Sequence, residues 1–178
     1  DTDVQTKENS LGSLDISGTA MNLTDNLAAL TVEDKTTLAG STVYFYDENN
    51  QAEKYNTADY RTITTNDLDA SDTNELFMRT NANGVYGQSA GNDKITSTNT
   101  VTGSGTYNIT VFDQGMRNGY NNAAGADTKG HLDQDVVLIE NADKGGTYNI
   151  KEMKYDNGVW SYEYEGKADI VDGGLNLT

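Results

Sequence analysis

The chain has 178 residues, a net charge of −16, no cysteine and no proline, and a hydrophobic fraction of 35%. The missing cysteines exclude disulfides, and the negative charge argues against nucleic acid and anionic membranes, since both bind through basic patches. No stretch approaches the roughly 20 apolar residues of a transmembrane helix, so we expect no membrane insertion of this segment.

Taken in chain order, short strand signals recur, and helix signals are weak throughout. Most candidate strands alternate apolar with polar residues and are rich in Val, Ile, Thr and Tyr, as half-buried strands are. Residues 21–30 could support a helical turn or two, but a strand followed by a turn fits their neighbours better. The predicted strands cover residues 11–17, 29–34, 41–47, 60–65, 75–80, 93–98, 106–113, 135–141, 147–156, 159–165 and 167–173.

Clusters of Asn, Asp, Gly, Ser and Thr separate these strands and predict turns. We interpret the acidic stretches DLDASDTNE (residues 67–75) and YDENN (residues 46–50) as solvated turns. Their oxygen ligands would suit Ca²⁺, but no EF-hand loop and no glycine-rich nonapeptide is present in the sequence. We therefore expect no metal site and no cofactor.

Two architectures fit this pattern, an antiparallel sandwich or barrel and a right-handed parallel β-helix. The pentapeptide GTYNI occurs twice, and its tyrosines, Tyr107 and Tyr148, are 41 positions apart. Such a spacing corresponds to about two coils of roughly 20 residues each, and periods of this order are typical of solenoids. The repeat therefore favours the all-β class with a right-handed parallel β-helix.

The alternation also predicts which side chains face inward near the end of the chain. Tyr107, Ile109 and Val111 share one face of their strand, and Tyr148 and Ile150 share one face of theirs. The run DVVLIE is instead apolar on both faces. Such a strand is expected where both faces are covered, so we expect another segment to fold back over it.

The segment YDNGVWSYEYE is the candidate for that cover. Asp, Asn and Gly in succession are a strong hairpin signal, because Asn and Gly tolerate the positive φ of tight turns. Trp160, Tyr162 and Tyr164 would share one face of the second strand. We predict an antiparallel hairpin whose aromatic side chains cap the open end of the stack.

These segments, in this order, resemble the C-terminal part of a pertactin-like autotransporter passenger. ELFMRTNANG is followed by GNDKITSTNTVTGSGTYNITVFD, a polar insertion, DVVLIENADKGGTYNI and YDNGVWSYEYE. The resemblance covers about residues 75–165, and residues 11–68 match only as generic β-helix rungs. In the family an aliphatic residue often closes the last strand where Tyr164 or Glu165 stands here, and here a further strand follows it.

The resemblance implies one continuous solenoid, with coils in residues 1–100 and the last coils and autochaperone cap in residues 101–178. It implies a non-catalytic segment of an adhesin, at the bacterial cell surface or secreted. Its partners would be its own outer-membrane β-barrel translocator, absent from this chain, and a protein or glycan of a host or neighbouring cell. Because the sequence opens on DTDVQTKENS without a signal peptide, we interpret it as part of a longer precursor.

The densest apolar cluster lies in the C-terminal third, which we predict to be the most stable unit and the folding nucleus. In a solenoid each coil contacts only its neighbours, so folding begins where the interfaces are strongest. The predicted nucleus and cap comprise Tyr107, Ile109, Val111, Val136, Val137, Leu138, Ile139, Tyr148, Ile150, Trp160, Tyr162 and Tyr164.

The remaining candidates for chemistry are few. His131 is the only histidine and lies in a polar, glycine-rich stretch, so we predict a surface position. With Arg117 and Tyr120 it belongs to a long insertion that could form a recognition loop.

Two other functions stay open. One is a calcium-dependent β-sandwich adhesion module. The other is a β-helical polysaccharide-degrading enzyme, for which a face could carry Asp67, Asp69, Asp72 and Glu75. We expect no catalytic residues.

Overall fold

A computed structural model describes residues 9–23, 29–56, 59–81, 91–114, 136–142, 145–156, 161–164 and 167–177. The side chains of residue 51 and of residues 153–164 lie outside this description. Within these ranges, no helix is both long and apolar enough to cross a membrane.

The described residues form fifteen strands and one helix of four residues, α1 (Gln51–Lys54). Val, Ile, Thr and Tyr at alternating positions give the strands one apolar and one polar face. The strands are β1 (Asn9–Leu11), β2 (Leu14–Ser17), β3 (Ala20–Asn22), β4 (Ala29–Ala39), β5 (Thr42–Tyr44), β6 (Thr62–Ser71), β7 (Thr73–Asn81), β8 (Gly91–Asn92), β9 (Lys94–Gly103), β10 (Thr106–Asp113), β11 (Val136–Glu140), β12 (Thr147–Asp156), β13 (Ser161–Tyr164), β14 (Ala168–Val171) and β15 (Gly174–Leu177).

The strands belong to two sheets, between which the chain alternates. Sheet A has the order β1-β4-β6-β9-β11-β15-β14, with β2 also beside β4. Sheet B has the order β13-β12-β10-β7-β5-β3, with the short β8 beside β7. From β1 to β12 the neighbours pair in parallel, apart from β8 with β7. The all-β class is confirmed, and this pairing differs from that of an antiparallel sandwich.

One strand of sheet A and the next strand of sheet B form what we call a unit. Side chains that bond between neighbouring units are mostly 32 or 33 residues apart in sequence. Between β10 and β12 the spacing is 41 residues, and Tyr107 pairs directly with Tyr148. The prediction that 41 residues span two coils is therefore wrong. They span a single unit, because a longer connection joins β10 to β11.

The two copies of GTYNI are thus neighbours in sheet B, and their identical side chains stack. The rings of Tyr107 and Tyr148 lie 5.0 Å apart with an interplanar angle of 13°. Beside them, the side-chain amide of Asn149 donates to Asn108 Oδ1 at 3.2 Å. Such pairs of neighbouring side chains on adjacent strands stabilise the sheet.

One apolar core contains the inward-facing side chains of both sheets. In β10 these are Tyr107, Ile109 and Val111, each at most 1% exposed. At about 1.5–3 kcal/mol for each fully buried apolar side chain, this core supplies the main stabilisation of the fold.

The apolar run in β11 has a different cause from the expected cover. The register with β15 shifts between Val137 and Ile139, so Leu138 and Ile139 are both completely buried while Val137 is half-buried. Such an irregularity lets successive side chains point to one side of the strand. The neighbour of β11 at this edge is β15.

Both sheets change direction at the C-terminal end of the chain. In sheet B, β13 pairs antiparallel with β12, which confirms the predicted hairpin pairing. In sheet A, β15 pairs antiparallel with β11, and β14 pairs antiparallel with β15. The hairpin extends the edge of sheet B, so it does not lie beside β11.

The acidic stretch that we predicted as a solvated turn is largely strand. Strand β6 continues to Ser71 because Leu68 and Ala70 point into the core, where they are at most 2% exposed. Asp67 and Asp69 occupy the intervening outward positions. The interpretation of residues 67–71 as a turn is therefore wrong, since charged residues on a solvated strand face keep the alternation intact.

The two sides on which the chain changes sheets differ. At the tight corner, where it passes from sheet A to sheet B, most connections are short and each carries one residue with positive φ. At the loop corner, where it passes from sheet B back to sheet A, the connections are long. The positive-φ residues of successive units at the tight corner are Gly18, Gly40, Asp72, Gly103 and Asn141.

Candidate functional site at the loop corner

Buried charges occupy the loop corner. Arg61 precedes β6, Asp93 precedes β9, and Arg79 lies near the end of β7. Their exposed fractions are 1%, 0% and 0%. Charged groups are this deeply buried only when they are paired and hydrogen-bonded, so their partners decide whether the corner is stable.

Asp93 joins its own unit to the preceding one, formed by β6 and β7, through its carboxylate. Its Oδ2 accepts hydrogen bonds from Arg79 N at 2.7 Å and Arg79 Nε at 2.9 Å. Its Oδ1 accepts from Arg61 N at 2.8 Å and Arg79 Nη2 at 2.9 Å. The bidentate geometry is the strongest form of a guanidinium–carboxylate pair.

Other donors of the two arginines bind the connection between β5 and β6, and one binds Leu23, which follows β3. Arg79 Nη1 donates to the carbonyl of Glu53 at 2.7 Å, and Nη2 donates to the carbonyl of Asp59 at 2.9 Å. Arg61 forms an ion pair with the Glu53 carboxylate and donates to the carbonyls of Leu23 and Phe45. These bonds tie the long connection to the strand ends.

Part of that connection, residues 46–56, which we call the cover segment, packs on the outer face of sheet B. Phe112 points outward from β10 yet is only 1% exposed, because the Tyr55 ring meets its edge at a centroid distance of 5.5 Å. Lys54 Nζ lies 4.6 Å from the same ring centroid. Gln114 Nε2 donates to the carbonyls of Lys54 at 2.7 Å and Asn56 at 3.0 Å. A fold-back over an outer sheet surface therefore exists at β10.

The electrostatics of this corner follow from burial. Burial acts to lower the pKa of Arg79, but hydrogen bonding and charge from Asp93 outweigh it and raise that pKa. Burial raises the pKa of Asp93, and the Arg79 guanidinium opposes that rise. Burial also raises the pKa of Tyr60 to about 12. Tyr46, whose pKa is raised by burial and by the charge of Glu48, stays a neutral phenol in ordinary buffers.

A pocket of about 400 Å³ opens next to the cover segment. Its walls combine the end of β5 with the start of the cover segment, through Tyr44, Tyr46, Asp47 and Glu48. Tyr44 stacks on Phe77 of the next unit, with ring centroids 4.6 Å apart.

The structure brings most of the predicted nucleus residues together in or against one core. Within the described side chains, Val137 is half-buried, and Tyr148 and Ile150 pack against the core from partly buried positions. Tyr162 and Tyr164 lie in β13, but their side chains are outside the description. The fully buried members are Tyr107, Ile109, Val111, Val136, Leu138 and Ile139. Their role as a nucleus stays a prediction.

Other sequence-predicted residues lie outside the described ranges. Trp160 belongs to this group, as do Arg117, Tyr120 and His131 of the suggested recognition loop. Their predicted roles stay predictions.

The carboxylates considered for a polysaccharide-degrading enzyme are divided between different faces. Asp67 and Asp69 point outward from sheet A, whereas Glu75 points outward from sheet B. Asp67 Oδ1 accepts hydrogen bonds from Thr100 Oγ1 and Asn99 Nδ2, both at 2.8 Å, and these bonds lower its pKa. These contacts are structural links between units.

The loop-corner cluster was missed in the sequence because its members are distant along the chain. A signal was present, since Arg61 and Asp93 each stand immediately before a strand that begins at the same place in its unit. Oppositely charged residues at equivalent positions of neighbouring units are expected to contact each other. The contact can be recognised only when successive units are aligned with the correct spacing, and the predicted spacing of about 20 residues is wrong.

Among the described residues, no three His, Cys, Asp or Glu side chains converge in a way that could hold a metal ion. Comparisons of the chain with protein-family models, with curated proteins and with solved structures found no match.

Proposed function

We propose that this chain is a non-catalytic segment of the passenger domain of a bacterial surface autotransporter, folded as a right-handed parallel β-helix. Support comes from the chain's alternation between two sheets whose successive units pair in parallel from β1 to β12. The resemblance of residues 75–165 to pertactin-like passengers supports the same proposal. The domain would belong to an adhesin, at the cell surface or secreted, whose partners are its own translocator and a surface protein or glycan.

The observation that carries the proposal is the change of strand direction at the C-terminal end. Parallel pairing extends through β11 and β12, and antiparallel strands follow in both sheets. A parallel stack grows by adding further parallel units, and a chain that reverses stops this growth. The C-terminal end is therefore suited to be a cap, and β1, β2 and β3 form the other end of the stack.

A mechanism of secretion without ATP follows from this asymmetry. The C-terminal units leave the pore first and fold against their own antiparallel strands. Each later unit then stacks on a preformed neighbour, as Tyr107 stacks on Tyr148. Because a single unit cannot bury its apolar face alone, stacking releases free energy only on an existing template. That free energy biases the chain against sliding back.

Refolding kinetics test the proposed nucleus with two matched cavities. Leu138 in β11 and Leu38 in β4 are both leucines of sheet A and both 0% exposed. Leu→Ala at either site should cost about 2–5 kcal/mol. If the C-terminal units fold first, Leu138→Ala slows refolding by about a hundredfold, whereas Leu38→Ala mainly accelerates unfolding. Stopped-flow refolding with the reverse ranking, or with equal slowing, would contradict the nucleus.

Surface display tests the cellular role. In the precursor, Leu138→Ala should reduce display of the passenger while the translocator remains inserted, and Leu38→Ala should reduce it less. Undiminished display of Leu138→Ala would remove the autochaperone role. The reading frame after the codon for Thr178 offers a second test. It should encode alternating strands of about ten residues, able to form a membrane barrel, and a stop codon instead would contradict the class.

A further inference from the structure

The pocket beside the cover segment has the size and access of a small-molecule site. Its volume of about 400 Å³ lies within the usual range for small ligands, roughly 300–1,000 Å³. Asp47 is exposed and Glu48 is half-buried, so a ligand can reach the carboxylates from solvent. Asn22 and Leu23 close the opposite wall.

The pocket carries negative charge without a counter-charge. Its third carboxylate, Glu53, is paired with Arg61. Among the described residues, neither Asp47 nor Glu48 has an ion-pair partner. Asp47 Oδ1 accepts the backbone N–H of Asn49 at 2.9 Å. Two carboxylates in a concave site focus an attractive potential on cations.

The aromatic walls favour one type of cation. Tyr44 is half-exposed, and its stacking on Phe77 at an interplanar angle of 18° holds the ring in place. Tyr46 is 1% exposed, and its hydroxyl lies 3.5 Å from Glu48 Oε1. Aromatic faces attract ammonium groups through the ring quadrupole, and a neighbouring carboxylate adds a charge partner. A bare metal ion would gain little from these rings, since it prefers oxygen ligands alone.

We propose that this pocket binds an organic ammonium ion, of the kind carried by a polyamine or by a lysine side chain. The half-exposed Tyr44 ring contacts the ammonium group and its methylene chain, and Glu48 and Asp47 supply the opposite charge. This binding goes beyond the proposed function and does not depend on how the chain is secreted.

Calorimetric titration of the whole chain at low ionic strength tests the site. The probes are spermidine, Nα-acetyl-lysine methylamide and the neutral disaccharide cellobiose. We expect one saturable site for the ammonium probes and none for cellobiose. Tighter binding of spermidine would indicate a free polyamine as the ligand, and equal binding of the lysine derivative would indicate a lysine side chain.

Three variants separate the pocket from the general negative charge of the protein. Glu48→Gln should weaken ammonium binding by about tenfold, since it removes a charge partner. Tyr44→Leu should weaken it by about fivefold, because the ring face is lost. The matched control is Glu33→Gln, which removes the same charge from an exposed glutamate of sheet A that accepts a bond from Ser10. This control should bind like the unmodified chain.

Several results would overturn the proposal. Equal weakening by Glu33→Gln and Glu48→Gln would show attraction to net charge alone, and non-saturable binding would show the same. Cellobiose binding that Glu48→Gln leaves intact would show a sugar site instead. Side-chain amide signals of Asn22 and Asn49 in ¹H–¹⁵N spectra should shift during the titration, and unshifted signals would place the ligand elsewhere. Spectra of each variant without ligand establish that it is folded.

Discussion

The two corners at which the chain changes sheets are built by different means. The tight corner relies on backbone conformation, with one positive-φ residue in each unit. The loop corner relies on side chains, with Arg61, Arg79 and Asp93 joining connections that are far apart in sequence. A positive-φ turn needs only one suitable residue in each unit, such as Gly, Asn or Asp. A buried charge cluster needs a particular residue at each of several positions. The tight corner therefore repeats from unit to unit, and the loop corner holds what differs between units.

Among substitutions at the two corners, removal of the Asp93 carboxylate should lower the unfolding free energy most. Asp93→Asn leaves the buried Arg79 guanidinium without a counter-charge, and breaking a buried pair in this way costs about 3–5 kcal/mol. Urea unfolding should show that loss as a lower midpoint with an unchanged slope. A loss below about 1 kcal/mol would mean that the corner is not held by charge.

A substitution at the tight corner should cause the second-largest loss of unfolding free energy. Gly103 has a φ of 94°, and an added Cβ would lie 2.0 Å from the carbonyl oxygen of Ala70. Gly103→Ala should therefore lower the unfolding free energy by about 1–3 kcal/mol through backbone strain. Gly12→Ala is the control, because no atom lies within 4 Å of its added Cβ and its φ is outside the left-handed range. It should change stability by less than about 1 kcal/mol, in the stabilising direction. Equal effects would remove the conformational role of Gly103.

Of the three substitutions, loss of a half-exposed ion pair should lower the unfolding free energy least. Lys94 Nζ lies 2.7 Å from Glu140 Oε1 on the outer face of sheet A, and this hydrogen bond lowers the pKa of Glu140. A depressed carboxyl pKa adds stability above the unfolded value of 4.5, and that stability disappears as the pH falls through the folded value. Glu140→Gln should thus cost less than about 1 kcal/mol at pH 7, because solvent screens the pair. Unfolding curves of the unmodified chain and of Glu140→Gln should differ in midpoint at pH 7 and coincide at pH 3. If Glu140→Gln lowered the unfolding free energy as much as Asp93→Asn, burial would not determine how much an ion pair contributes to stability.

The strands that alternate strictly could be predicted from the sequence. β10 and β12 begin and end where the pattern of residues 106–113 and 147–156 places them. The prediction ends this strand at residue 65, too early for β6, because Asp67 and Asp69 are typical turn residues by type although they occupy outward strand positions. The sequence does not predict the strand β15, because GLNL is short and begins in a pair of glycines, Gly173 and Gly174. Local composition predicts a strand correctly only where the residues on both of its faces are typical of strands.

Register and the loop corner could not be predicted. The spacing of Tyr107 and Tyr148 does not show how many units lie between them, since a long connection and an additional unit give the same count. The contact between Arg79 and Asp93 depends on that register, as does the packing of the cover segment on Phe112. These contacts join residues from different connections, so no local pattern predicts them.

The stacked pair formed by Tyr107 and Tyr148 has a practical consequence. From Thr106 to Ile109 their strands pair residue by residue, although the chain between them is longer than in the other units. Extra length there is absorbed outside the ladder, since closing a longer loop costs only about 0.6 kcal/mol per doubling. A foreign peptide grafted between β10 and β11 should therefore leave the pairing of Tyr107 with Tyr148 intact, which makes this connection suited to carrying inserted sequences.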